Sequence, residues 1–442
     1  MKSRLVLVLA LSLACASESA DGGGTIAAVD SSDGAPDGAG GTDGTDGADE
    51  ADAAADGADA AADGSDGLDP LDGTDTTDAG STDGSSVDPE AADEKAFQAA
   101  LALYDALDFE GAKAAFAAFL TDFPGSVRRD NALYLTARCR FELQDYPGAR
   151  TGFAAFVSSH ASSALLPDAT YYLGRTDYEL LDYASALSTL DAFIAKWPTD
   201  VLADNALYYV GRSHFELLQY AKAEVAFADV ISHPESSYRD AALYWSGRTA
   251  YTEARYADAE ARFATLIVDY PGGLYEDNGR YYGAMSRYRL EDYAGALERF
   301  ASFRAAFPNS IYQDNARYFT GRCHYKLGDF AAAVGELETF AADWPTSGYA
   351  DDSAYYAGRS HYELAKAGAT SGYAKAIASL GTLVSTWPTS AYVDNAYYYR
   401  LLSHLAQGSC TGAKTDAAAL EAAVPASAYV DKAATALATA GC

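Results

Sequence analysis

The sequence predicts an all-α solenoid of stacked helical hairpins over residues 95–442. Three observations carry that prediction. An arginine recurs at Arg138, Arg175, Arg212, Arg248, Arg322 and Arg359, with Met285 and Leu402 in the same register, at intervals of 37, 37, 36, 37, 37, 37 and 43 residues. A Pro preceded by an aromatic residue closes successive units with the same period, as at Phe123-Pro124, Trp197-Pro198, Tyr270-Pro271, Phe307-Pro308, Trp344-Pro345 and Trp387-Pro388, and His233-Pro234 takes one turn of the series. Each unit also holds two runs with apolar side chains at helical spacing. A fixed period of roughly 20 to 50 residues marks repeats that bury their apolar faces only by stacking on one another.

Residues 1–15 come first. Lys2 and Arg4 precede an apolar core, Leu5 to Ala14, which is too short for a permanent membrane span and has the form of an export signal. Cys15 follows it directly. The segment resembles a bacterial lipoprotein signal, in which the Cys becomes the lipidated first residue; Ser12 stands where that pattern has Leu. A secretory signal cut between Ala14 and Ala20 is the alternative.

Residues 16–94 carry 23 acidic side chains and no Lys or Arg, in a text of Asp, Ala, Gly, Ser and Thr. Such a segment buries too little apolar surface to offset its ordering entropy, so a disordered linker is expected. As a flexible coil it spans roughly 5 nm root-mean-square, and like-charge repulsion lengthens that. Asp-Gly repeats can also ligate calcium, but the loop spacing and closing Glu of an EF-hand are absent.

From residue 95 about eight hairpins and a C-terminal cap are expected, the unit around LALYDALDFEGAKAAF forming the N-terminal cap. The first helix of a unit follows a Pro-x-Ser-x-Tyr-x-Asp phrase, whose Asp or Asn is expected to cap the helix. The second follows a turn such as Gly-Asp-Phe; AAAVGELETFAADW is one instance, with Ala333, Leu337 and Phe340 on one side. The longest interval reflects an insertion near KAGATSG, inside a hairpin.

The copy around Arg322 resembles a tetratricopeptide repeat through Gly321, Tyr325, Phe330, Ala333, Leu337 and Pro345, and departs from it at Arg317 and His324. That resemblance implies a right-handed superhelix that binds peptides or proteins. The longer unit, with aromatic-Pro followed by Ser and Tyr, is similar to the repeats of two bacterial periplasmic groups. One is the TolA-binding coordinator of the Tol-Pal system; the other is the lipoprotein subunit of the outer-membrane barrel-assembly machine. The implied partners are envelope proteins or peptides, and the implied place is the periplasmic side of the outer membrane, or the cell surface or medium if the signal is cleaved. The lipid anchor is the one expected membrane contact.

Several residue rows invite a functional reading. The recurrent Arg can clamp a partner's carboxylates, or stack on tyrosines and hold the repeats together. His214, His324, His361 and His404 share one register position and read as a stripe along a groove or as packing. Equivalent helices lie about 10 Å apart, too far for one ion with ligands at about 2 Å, so no metal is expected. In the doublets Tyr171-Tyr172, Tyr208-Tyr209, Tyr281-Tyr282, Tyr355-Tyr356 and Tyr398-Tyr399, one member is expected to pack and the other to face a groove. Cys323 and His324 are adjacent, but neighbouring helical side chains diverge by about 100°, so they make no nucleophile pair; Cys139 and Cys323 read as buried fillers. Cys410 and Cys442 are expected to form a disulfide that staples the C-terminal cap.

The net charge of −32 over 442 residues argues against a nucleic-acid surface. There is no catalytic triad order, phosphate loop or zinc motif, so no enzyme activity and no cofactor are expected. The oligomeric state is left open.

Overall fold

The computed structural model describes residues 89–442, all of them α-helix or short connections. Cys15 and residues 16–88 lie outside the described part. Nine hairpins follow one another: α1 (Pro89–Asp105) with α2 (Phe109–Asp122), α3 (Arg129–Glu142) with α4 (Tyr146–Ser159), α5 (Leu166–Glu179) with α6 (Tyr183–Lys196), α7 (Ala203–Glu216) with α8 (Tyr220–Ser232), and α9 (Arg239–Thr252) with α10 (Tyr256–Asp269). Then come α11 (Glu276–Arg289) with α12 (Tyr293–Ala306), α13 (Gln313–Lys326) with α14 (Phe330–Leu337) and α15 (Phe340–Asp343), α16 (Ala350–Lys366) with α17 (Gly372–Thr386), and α18 (Val393–Ala406) with α19 (Cys410–Ala423). A last helix, α20 (Tyr429–Thr439), has no second member. Each helix packs on the next in sequence, and first helices of adjacent hairpins also touch. This is the helix-pair solenoid that the period predicts. No described helix is long and apolar enough to cross a membrane.

Within a hairpin the contact is close. A Cβ added to Gly211 would lie 2.5 Å from Phe227 Cε1, and one on Gly321 would lie 2.4 Å from Leu337 Cγ. The small residue before each Arg is therefore where the second helix presses its central Phe or Leu. Phe153, Phe227, Phe263, Phe300 and Leu380 are fully buried there.

Capping differs from the expectation. The first helices α3, α5, α7, α9, α11, α13, α16 and α18 have no side-chain cap bond; five second helices carry one from Asp108, Asp145, Asp182, Asp292 and Asp329, and α19 carries one from Ser409. The Asp of the connecting phrase has a different task. Asp130 accepts from the Asn131 amide at 3.0 Å and from the Ser163 hydroxyl of the next connection at 2.6 Å. Asp93 with Ser126, Asp277 with Ser310, and Asp394 with Ser427 repeat that clasp. The Asp thus satisfies an orphan amide of its own helix and fixes the register of the following unit.

The run AAAVGELETFAADW is not one helix. It breaks between α14 and α15, because the Arg317 guanidinium bonds the Glu336 carbonyl at 2.8 Å and the Thr339 hydroxyl at 2.8 Å. That carbonyl would otherwise extend the helical ladder, so a new turn starts at Thr339 instead.

Candidate interaction surface

The Arg row lies inside the stack. Arg175, Arg212, Arg248, Arg322 and Arg359 are buried, and Arg138 nearly so. Each places its guanidinium over an aromatic ring of the next hairpin. The distance from Cζ to ring centroid is 3.6 Å for Arg138 on Tyr172, 5.3 Å for Arg175 on Tyr209 and 3.6 Å for Arg212 on Trp245. It is 4.4 Å for Arg248 on Tyr282, 4.0 Å for Arg322 on Tyr356 and 3.4 Å for Arg359 on Tyr399. Within its own helix the guanidinium also donates one turn back, from Arg212 to the Tyr208 hydroxyl at 3.1 Å, from Arg248 to Tyr244 at 2.9 Å and from Arg322 to Tyr318 at 2.6 Å. A desolvated stack of this kind is worth up to about 2 kcal/mol per step. Met285, fully buried, fills the same place in its unit. The row occupies unit-to-unit contacts rather than an open surface.

Three of the five tyrosine doublets face the same interior, and in Tyr355-Tyr356 and Tyr398-Tyr399 one member is buried and the other half-buried. Both members of Tyr171-Tyr172, Tyr208-Tyr209 and Tyr281-Tyr282 are buried, so they line no open groove. The first member stacks on the tyrosine of the next connecting phrase, with centroids 4.3 Å apart for Tyr281 and Tyr312, for Tyr318 and Tyr349, and for Tyr355 and Tyr392. The second member receives the Arg from the preceding unit. Asn278 donates to Tyr312 Oη and Asn315 to Tyr281 Oη, each at 3.2 Å. Burial drives the Tyr208 and Tyr318 hydroxyls well above the usual phenol range. In α9, residues 241–250 are buried without interruption. The extra residues of the connecting phrase bring in the tyrosine that closes this face.

The histidines do not form one stripe. His361 is buried against Glu338, with Nε2 3.1 Å from Oε1. His214 is half-buried beside Gln219, and His324 lies 3.8 Å from Asp329. His404 Nε2 is 3.6 Å from Asp416 Oδ2, and Arg400 pairs with the same carboxylate at 3.0 Å. Burial raises the Asp416 carboxyl, opposed by Arg400 and His404. A first-helix end meets the following turn and, in the unit of His361, the preceding second helix; the partners there vary from unit to unit. Among the described residues no group of three or more His, Cys, Asp or Glu side chains is placed to hold a metal ion.

Cys410 and Cys442 are joined in the structure, with Cα atoms 5.4 Å apart, and tie the start of α19 to the end of the chain. Cys139 and Cys323 are buried thiols, pushed up to about 12 by burial.

One surface feature escaped the sequence reading. The turn inside three of the hairpins exposes a leucine side chain: Leu107 is 63%, Leu181 71% and Leu218 71% exposed. All three have positive φ, which strains a residue with a Cβ. In the sequence these three leucines stand in Ala-Leu-Asp, Leu-Leu-Asp and Leu-Leu-Gln, directly ahead of the second helix.

Fold and interior together define a tetratricopeptide-type scaffold of stacked helical hairpins. A tetratricopeptide-repeat model matches residues 96–126. The family model described as YfiO, outer membrane lipoprotein, matches residues 128–279, 236–321 and 276–398, together more than half of the chain, and the chain belongs to that family. The overlapping matches reflect a repeat unit that recurs beyond the length of a single match. No curated protein matches the chain. Among solved structures, the C-terminal part of a TPR repeat-containing protein from Cytophaga hutchinsonii is 16% identical, with 58% of this chain and 98% of that one covered and a TM-score of 0.49. A tetratricopeptide repeat protein from Parabacteroides merdae is 15% identical over 61% of this chain and 98% of that one, with a TM-score of 0.41. PilW, a type IV pilus biogenesis factor, is 19% identical over 50% of this chain and 96% of its own, also with a TM-score of 0.41.

Proposed function

We infer that this chain is a non-catalytic protein-binding scaffold of the bacterial cell envelope, held at the outer membrane by a lipid on Cys15 and set off from that anchor by residues 16–94. The observation that carries the reading is the family match across residues 128–398. The position of Cys15 directly after an apolar N-terminal core supports it. Envelope proteins are the partners this reading implies. The family match supports the outer-membrane lipoprotein side of the resemblance and does not single out the Tol-Pal group.

Cross-linking the full-length protein in envelopes and isolating it tests the scaffold. One dominant protein partner is expected; recovery of wall fragments alone, or of nothing, overturns it. Mass spectrometry of the N-terminal peptide tests the anchor: a lipidated Cys15 at the first position is expected, and an unmodified start at Ser17 or Ala20 rejects it. A second reading, an envelope spacer or wall-linking element without a discrete protein ligand, is favoured by the burial of the Arg row, which takes those side chains out of reach of a partner. Wall fragments in the same isolation are its signature.

A further inference from the structure

The hairpin turns show a pattern that folding alone does not explain. Positive φ recurs at Leu107, Gln144, Leu181, Leu218, Ala254 and Glu291, and the equivalent residue of later hairpins is Gly328, Gly368 and Gly408. Gly meets that backbone without strain. A leucine there is strained and, at 63–71% exposure, gains little burial in return. Leu290 and Leu327, one place earlier in their turns, are also about half exposed.

An acid follows the exposed leucine at Leu107 and Leu181, Gln219 follows Leu218, and further acids stand in neighbouring turns. The residue after the positive-φ position is Asp108, Asp145, Asp182, Asp292 or Asp329 in five hairpins, each capping its second helix with one oxygen. Arg150 pairs with Asp182 and Arg287 with Asp292. Arg255, at the fifth turn, is held by Glu224, Glu253 and Asp258, and Lys326 precedes Leu327. Among the described residues no Lys or Arg pairs with Asp108, Asp145 or Asp329.

We propose that this turn edge is the docking surface of the scaffold, and that its occupant is a basic amphipathic segment of a separate partner protein. Apolar side chains of that segment cover the leucines, and its Lys and Arg meet the cap carboxylates. Charge selects the occupant. Residues 16–94 carry 23 acids and no Lys or Arg, so this chain's own N-terminal segment is repelled. A second copy presents the same acidic edge. The proposal rests on the scaffold reading above.

The test uses the full chain and a Leu107→Gly/Leu181→Gly/Leu218→Gly variant, which keeps every charge and relieves the turn strain. The probe is a labelled synthetic Leu/Lys amphipathic peptide, with a Leu/Glu peptide of the same pattern as control, followed by fluorescence anisotropy. The wild type is expected to bind the Leu/Lys peptide, and the variant to bind it at least about tenfold more weakly at an equal or higher melting temperature. The Leu/Glu peptide is expected to stay free. No binding of the Leu/Lys peptide, equal binding by both proteins, or equal affinity for the Leu/Glu peptide overturns the proposal. A lower melting temperature of the variant overturns it too, since the leucines would then serve the fold. Envelope cross-linking separates the two readings. A partner captured equally by wild type and variant removes the edge but leaves the scaffold, whereas no partner for the wild type removes the scaffold itself.

Discussion

Replacing Arg212 with Lys isolates what a planar guanidinium contributes to the stack. Arg212 is 1% exposed; its Cζ lies 3.6 Å from the Trp245 centroid, Nη1 donates to Tyr208 at 3.1 Å, and Nη2 is 3.6 Å from Glu216. Lys keeps the charge and most of the stem. It cannot lie flat on the indole and donate along the helix at the same time. The stack is worth about 1–2 kcal/mol, and the charge-assisted bond to Tyr208 about 1.5–3 kcal/mol. The Lys ammonium can recover part of the second term through Glu216, so a net loss of about 2–3 kcal/mol is expected. Arg212→Ala also removes the packed stem and is expected to cost about 4 kcal/mol. Urea titration followed by circular dichroism and tryptophan emission measures both. The defect lies between the fourth and fifth hairpins, so the two halves of the array are expected to uncouple and the transition to broaden. A Lys variant with the wild-type midpoint and slope refutes the stacking argument, and an equally unaffected Ala variant refutes any structural role for the row.

Three further outcomes follow from the geometry. Gly321→Ala, although Ala is the better helix former by about 1 kcal/mol, is expected to lower stability by about 1–3 kcal/mol because its methyl meets Leu337, while Gly335→Ala, with nothing near its Cβ, is expected to raise it; paired thermal melts read both. Cys410→Ser opens a closure spanning 32 residues and is expected to cost about 3–4 kcal/mol, seen as faster hydrogen exchange in residues 429–442, with intact mass before and after reduction reporting the bond itself. Burial pushes the Asp177 carboxyl up to about 6 against the pull of Arg150. Between about pH 4 and 6 the folded state therefore holds more protons at this site than the unfolded chain, so its contribution to stability falls as pH rises. Asp177→Asn is expected to stabilise the protein at pH 7 and to have no such advantage below pH 4, as read by denaturation midpoints across pH.

Much of the fold was legible because a solenoid writes its architecture as a period. The recurring Arg and the aromatic-Pro pairs located the units. The roles of individual side chains were less legible. Arg322, Tyr281 and His324 read alike as surface or interior, since a helical repeat shows that a position recurs but not which neighbour covers it. The capping Asp was misplaced for the same reason: Asp130 is one residue inside its helix, and its second partner, Ser163, belongs to the next connection. The break at Thr339 was hidden because the group that causes it, Arg317, lies on another helix.

The sequence by itself determined the helical class, the hairpin unit, its period and the markers that join it to its family. These depend on local spacing, turn chemistry and composition, which one chain displays directly. Tertiary structure alone decided that the Arg row and three of the tyrosine doublets are interior and that leucines stand exposed at three hairpin tips. Those facts are set by contacts between units, such as Arg212 on Trp245 and Tyr281 on Tyr312, and stacking a unit on its neighbours is what chooses which face of each helix water can reach.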